Sequence, residues 1–154
     1  MKRSFAIAAV LAAGLAVLQG CASVKPPTLS VEALRIGKIG ITGATLDVGF
    51  KLRNPNPETL FIERFEYELF LNGERLGRGY EPSAVRLEGF AEARVGSRFD
   101  LNFLRVPGAV KRLLDDDHVK ARAKGDFFVR DGNSLKKIGF DADASVDIRR
   151  NNNN

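Results

Sequence analysis

The sequence predicts an all-β domain: an antiparallel β-sandwich of about seven strands with one short α-helix. Three observations carry that expectation. Apolar and polar residues alternate with period two over several stretches, as at Leu46, Val48, Phe50 and Leu52. Hairpin signals, Asn72-Gly73 and Asp131-Gly132-Asn133, fall between such stretches. The period changes once to that of a helix, at Val106, Val110, Leu113 and Leu114.

In chain order, residues 29–41 are apolar at loose intervals, with Gly37, Gly40 and Gly43 interrupting. An irregular or bulged first strand is expected there. The second strand sets Leu46, Val48, Phe50 and Leu52 against Asp47, Gly49, Lys51 and Arg53, so one face is buried and one solvated. It stops at Asn54-Pro55-Asn56-Pro57. Each proline removes a ladder donor and pushes the preceding asparagine out of the helical region. The asparagine amides can bond nearby backbone, so the tetrapeptide makes a rigid corner.

A third strand covers 60–71, with Phe65, Tyr67, Leu69 and Leu71 on one face and Phe61 and Phe70 on the other. Asn72-Gly73 turns it into a return strand through Leu76 and Gly79, which 84–87 continue after a break near Pro82. Residues 91–103 alternate again. A helix over 107–114 follows, with Pro107 tolerable in its first turn. Val119, Ala121, Ala123, Phe127 and Val129 give a sixth strand, with Phe128 on its opposite face. Phe140, Ala142, Ala144, Val146 and Ile148 give the last one. Short strands joined by hairpins point to a sandwich of immunoglobulin or fibronectin III style.

Ahead of this domain, Lys2 and Arg3 precede an apolar run over 5–18. That is the layout of a secretory signal peptide. The run falls short of the roughly 18 to 20 residues that span a bilayer comfortably. It closes on Leu18-Gln19-Gly20-Cys21, which resembles the lipobox of bacterial lipoproteins, Leu-x-[Gly/Ala]-Cys. The resemblance implies that the Cys21 sulfur takes a diacylglyceryl group and that cleavage before it frees an amine for a third chain. Two or three acyl chains hold a protein to a membrane far more firmly than one. Ala22 and Ser23 follow the cysteine. In enterobacterial lipoproteins an acidic residue there is associated with retention at the inner membrane, so an outer-membrane site facing the periplasm is expected.

The expected organisation is a signal peptide over 1–20, a lipidated tether over 21–28 stiffened by Pro26-Pro27, a domain over 29–148 and a disordered polar tail over 149–154. Cleavage takes 20 of the 154 residues and leaves 134, enough for one core. Cys21 is the sole cysteine, which excludes an intramolecular disulfide. The formal charge of +5 falls to +3 with loss of Lys2 and Arg3 and gives no argument for nucleic acid.

Chemistry-bearing constellations are scarce. His118 is the single histidine, beside Asp115, Asp116 and Asp117. Three consecutive aspartates cannot all face one ion, so a solvated helix end is expected rather than a metal site. No serine occupies a Gly-x-Ser-x-Gly elbow, and Gly77-Arg78-Gly79 lacks the strand-to-helix setting of a nucleotide loop. Neither an enzyme nor a cofactor is expected. Lys120, Arg122 and Lys124 share one strand face, a stripe suited to anionic lipid head groups or simply to solvent.

From strand 46–53 through Asn54-Pro55-Asn56-Pro57, Phe65-Glu66-Tyr67-Glu68-Leu69 and the Asn72-Gly73 turn, the chain resembles the WHy domain (water stress and hypersensitive response) of type-2 late embryogenesis abundant proteins. The likeness continues through a glycine-containing return strand, Leu113-Leu114 and a closing hairpin. It implies a two-sheet sandwich or barrel-like domain with one helix, linked to desiccation and stress, often as a lipoprotein in bacteria. No catalytic residue comes with it, and the corner's asparagines and prolines take a structural role. The function expected is non-catalytic protection of membranes or client proteins. The alternative is an envelope adaptor or lipid-binding module, for which Phe61, Phe70 and Phe128 argue.

Overall fold

A computed structural model of the chain describes residues 25–105, 108, 111 and 115–150. Among the described residues there are eight strands: β1 (Thr28–Ile39), β2 (Gly43–Arg53), β3 (Leu60–Leu71), β4 (Glu74–Glu81), β5 (Val85–Leu87), β6 (Glu92–Asn102), β7 (His118–Asp131) and β8 (Ser134–Arg150). They follow one hydrogen-bonded path, β4-β3-β7-β8-β1-β2-β6, with β5 added to β3. The path curls, so that β2 faces β3 across the interior. Phe50 of β2 meets Phe65 and Tyr67 of β3 edge-on, with ring centroids 5.4 and 5.0 Å apart. Such pairs add about 1 kcal/mol each beyond the area they bury.

The all-β expectation holds, with local differences. The return strand is two elements rather than one. Pro82 has no N–H to donate, and Ser83 N donates to the Glu81 carboxylate at 3.0 Å, which turns the chain. β5 therefore pairs with the start of β3, Leu60 opposite Leu87, beyond where β4 leaves at Phe65 opposite Glu81. The sheet is not wholly antiparallel. β1 and β8 run parallel at Leu34–Ile148, Arg35–Arg149 and Ile36–Arg150. That pairing takes Arg149 and Arg150 out of the expected tail and into β8. The expected bulges of the first strand are present, between Val31 and Ala33 and between Ile36 and Ile39. Of the expected helix, Gly108, Lys111 and Asp115 are helical. Val106, Pro107, Val110, Leu113 and Leu114 lie outside the described residues.

The hairpins form as the turn residues require. Asn72 and Gly73 both take positive φ, 48° and 86°, between β3 and β4. Gly132 takes φ 58° as the first of two loop residues between β7 and β8. The alternating residues of β2, β3 and β7 fill the core: Leu46, Phe50, Leu52, Phe65, Leu69, Leu71 and Phe127 are all essentially inaccessible to solvent. Burial of each such side chain contributes about 2 kcal/mol.

The two ends of the path approach each other. The Phe99 ring of β6 sits over Gly77 of β4, where an added Cβ would lie 2.9 Å away. Tyr67 lies across Gly79 so closely that a Cβ there would meet its ring at 2.1 Å. Its hydroxyl donates to Ser97 Oγ of β6 at 2.9 Å, tying β3 to the far end of the path. Burial raises the Tyr67 pKa above the ordinary 10.0, against the opposing effect of that hydrogen bond. In the unfolded chain Tyr67 ionises near its ordinary value, while in the fold it keeps its proton. Its contribution is thus fully present below about pH 10 and is lost as pH rises through the folded value. Urea titrations between pH 8 and 11 are expected to show a steeper alkaline loss of stability in the wild type than in Tyr67→Phe. The variant should start lower at pH 8, because Ser97 loses its partner.

Candidate functional site

The Asn54-Pro55-Asn56-Pro57 corner is a buried hub. Two of the chain crossings between the halves of the sandwich, β2 to β3 and β5 to β6, pass the same end of the molecule. Asn54 is fully buried between them. Its Nδ2 donates to Glu58 O at 2.7 Å on the first crossing, and to Leu87 O and Glu88 O at 3.1 Å on the second. Its Oδ1 accepts from Asn56 N at 2.9 Å and Asn56 Nδ2 at 3.0 Å. Backbone bonds from Asn54 N to Ala91 O and from Phe90 N to Asn56 O complete the clasp. Asn56 adds a third chain segment: its amide exchanges bonds of 2.7 and 2.8 Å with the backbone of Lys25. The tether expected over 21–28 is therefore fastened to the domain by Lys25. Residues 1–24, with Leu18, Gly20 and Cys21, lie outside the described residues.

The basic stripe falls on β7 as expected, with Lys120, Arg122 and Lys124 exposed between buried Val119, Ala121 and Ala123. The hairpin register sets it against β8. Lys120 faces Ser145, Arg122 faces Asp143 and Lys124 faces Asp141. Arg122 pairs diagonally with Asp141, which holds that carboxyl below the usual carboxylate range, and Lys124 adds to the effect. On β3, Glu68 is held down in the same way by Arg75 and Arg78. Lys137 pairs with Asp126 at 3.1 Å and Arg64 with Glu66 at 3.6 Å.

Of these, Glu66, Glu68, Arg78, Lys124, Asp126, Lys137 and Asp141 line an open depression of about 980 Å³ on β3, β4, β7 and β8, beside Tyr80. Its polar groups are paired acids and bases, a surface for polar contact. The sequence reading passed over this depression. Glu66 and Glu68 alternate with Phe65, Tyr67 and Leu69, so their face was readable, but their neighbours required the sheet order.

The remaining candidates disperse. His118 Nδ1 contacts Asp147 at 2.8 Å, both largely exposed. The Asp117 carbonyl accepts from Ile148 N. Among the described residues, no three of His, Cys, Asp and Glu are grouped to hold a metal ion. No helix among them is long and apolar enough to cross a membrane. Phe128 lies beneath the Arg64 guanidinium at 3.8 Å and Phe61 beneath Arg86 at 5.6 Å, while Phe70 is half-buried, so the three do not form one apolar groove.

Removal of the Asn54 amide would strand three carbonyls and the Asn56 donors in a dry site. Asn54→Ala is expected to lower unfolding free energy by about 3 kcal/mol in urea titration. Asn54→Asp, which turns a carboxylate toward those carbonyls, is expected to be at least as damaging at pH 7. It should recover partly when acid restores one O–H donor.

Among solved structures, a protein of Arabidopsis thaliana determined in solution is similar in fold. It is 10% identical, has a TM-score of 0.63 and matches over 85% of this chain and 87% of its own. A protein from Archaeoglobus fulgidus shows 16% identity and a TM-score of 0.47 over 81% of this chain and 97% of its own. A further solution structure, of a protein described as late embryogenesis abundant (LEA), shows 11% identity and a TM-score of 0.49, covering 85% of this chain and 76% of its own. The sequence matches no curated protein. The family model LEA_2, Late embryogenesis abundant protein, matches residues 49–142, from β2 through the corner into β8, and the chain belongs to that family.

Proposed function

We propose that this LEA-type, stress-related protein is a bacterial lipoprotein of the WHy subtype. Acyl chains on Cys21 hold it to a membrane, expected to be the outer membrane facing the periplasm. It limits damage to membranes or client proteins during water loss and does so without turning over a substrate. The family match over 49–142 is the observation that carries this reading. Two further features support it. The lipobox-like Leu18-Gln19-Gly20-Cys21 precedes the domain by a few residues. The interior is occupied by the protein's own side chains, so contact with partners falls to the outer surface. There, Lys120, Arg122 and Lys124 stand exposed to meet anionic head groups or client carboxylates.

Two measurements test the proposal. Membrane fractions of expressing cells are expected to retain the wild type, while Cys21→Ser moves to the soluble fraction or stays as unprocessed precursor. Acylated wild type found free in solution would overturn the anchor. In drying assays, the protein is expected to preserve a dehydration-sensitive enzyme, or to prevent leakage from vesicles, better than an equal mass of inert globular protein. Equal performance would overturn the protective role.

A further inference from the structure

The end of the sandwich opposite the corner carries two turns side by side. The β1–β2 turn closes through Gly40 N donating to Gly43 O at 2.8 Å. The chain leaving β6 turns through Arg105 N donating to Asn102 O at 3.1 Å and Leu104 N donating to Asn102 Oδ1 at 3.0 Å. Phe103 N donates to Thr42 O at 3.0 Å and locks the turns together. Turn tips ordinarily carry small polar residues. These carry Ile39, Ile41 and Leu104, which are 58%, 100% and 84% exposed.

Scattered exposed apolar residues need no explanation, but three on adjoining turns do. Lys38 and Arg105 flank them, and residues 37–43 and 102–105 contain no acid. Neither cation forms an ion pair with another described residue, whereas Arg122, Lys136 and Lys137 of the β7–β8 hairpin each do. Arg35, one turn of the ladder behind, is exposed too. On the adjoining strands, Asp47 of β2 and Asp100 of β6 lie behind the tip, and Asp47 is bonded by Arg98 at 3.3 Å.

We propose that this tip is a lipid-contacting site, in which Ile39, Ile41 and Leu104 enter the acyl boundary of an anionic bilayer while Lys38 and Arg105 engage head-group phosphates. Apolar side chains that reach below the head groups, ringed by cations, match the two components of interfacial binding. A protein partner would also want the apolar residues, but unpaired lysine and arginine at both shoulders favour a negatively charged surface. The site is separate from the Cys21 anchor and does not rest on it. β1 carries the chain from Thr28 to Ile39, roughly 36 Å at 3.3 Å per residue, so the tip is the domain's far end from the tether.

The sequence has no tryptophan, so Ile41→Trp in the full chain carrying Cys21→Ser is a lone reporter. Its fluorescence is expected to shift to the blue on vesicles containing phosphatidylglycerol and to be quenched by brominated acyl chains. On pure phosphatidylcholine the shift should be weaker. Each nearby cation raises partitioning about fivefold, so Lys38→Glu with Arg105→Glu should weaken it by at least about tenfold. Leu104→Trp is a second reporter should Ile41→Trp fail to fold, judged by its urea midpoint. The proposal is overturned if the indole stays water-exposed while the protein sediments with anionic vesicles, which would leave binding to the N-terminal segment. It is also overturned if the shift appears without vesicles and grows with protein concentration, which would mean a second copy covers the tip.

Discussion

One side-chain amide fixes how the two halves of this sandwich are joined. Asn54 lies where the chain leaves β2 for β3 and again where it leaves β5 for β6, and it bonds to both crossings at once. A sheet ladder cannot do this work, because the backbones there run between layers and have no strand partner. Buried carbonyls without donors cost about 1–3 kcal/mol each. An amide supplies two donors and an acceptor on one rigid plane. Pro55 and Pro57 hold the segment out of helical geometry, so the amide is presented rather than folded back on its own turn. Asn56 extends the clasp to Lys25, so the start of β1 inherits its position from the same hub.

From that end, packing follows. With both crossings fixed, β2 and β3 must face each other, and Phe50 meets Phe65 and Tyr67. Tyr67 then reaches across to Ser97, which needs Gly79 to be without a side chain. No buried side-chain nitrogen or oxygen among the described residues lacks a hydrogen-bond partner. Of the buried polar side chains, Asn54, Asn56 and Ser97 connect separate segments, while Glu81 holds the local turn at Ser83; satisfied polar groups of this kind help a core specify one arrangement.

Much of this was legible along single strands. The alternation at 46–53 and 60–71 located β2 and β3 because the side-chain period is a local property of an extended chain. The hairpins were legible because positive φ selects residue types. Pairings between distant segments were harder. Periodicity does not reveal that β8 meets β1 in parallel, nor that β5 turns back to β3, since both depend on which edges remain open after the rest has folded. One pairing was within reach. A turn at Gly132-Asn133 places Asp131 opposite Ser134, and counting back from it sets Lys124 against Asp141 and Arg122 against Asp143. The basic stripe could have been recognised as half of a charge ladder. The hub role of Asn54 was not legible, because two of its three acceptors, Leu87 O and Glu88 O, lie more than thirty residues away.

The surface divides by how its charges are satisfied. On the β7–β8 face, cations and anions alternate across strands, and the exposed pairs contribute little stability but leave little field beyond the surface. At the β1–β2 tip, Lys38 and Arg105 form no ion pair with another described residue, and isoleucine and leucine stand exposed beside them. One face thus pairs several of its charges across strands, while the far end is both apolar and cationic. The fold makes that separation possible. Its hydrogen-bonded hub is at the Lys25 end, and the opposite turns are held by a bond of their own, from Phe103 N to Thr42 O.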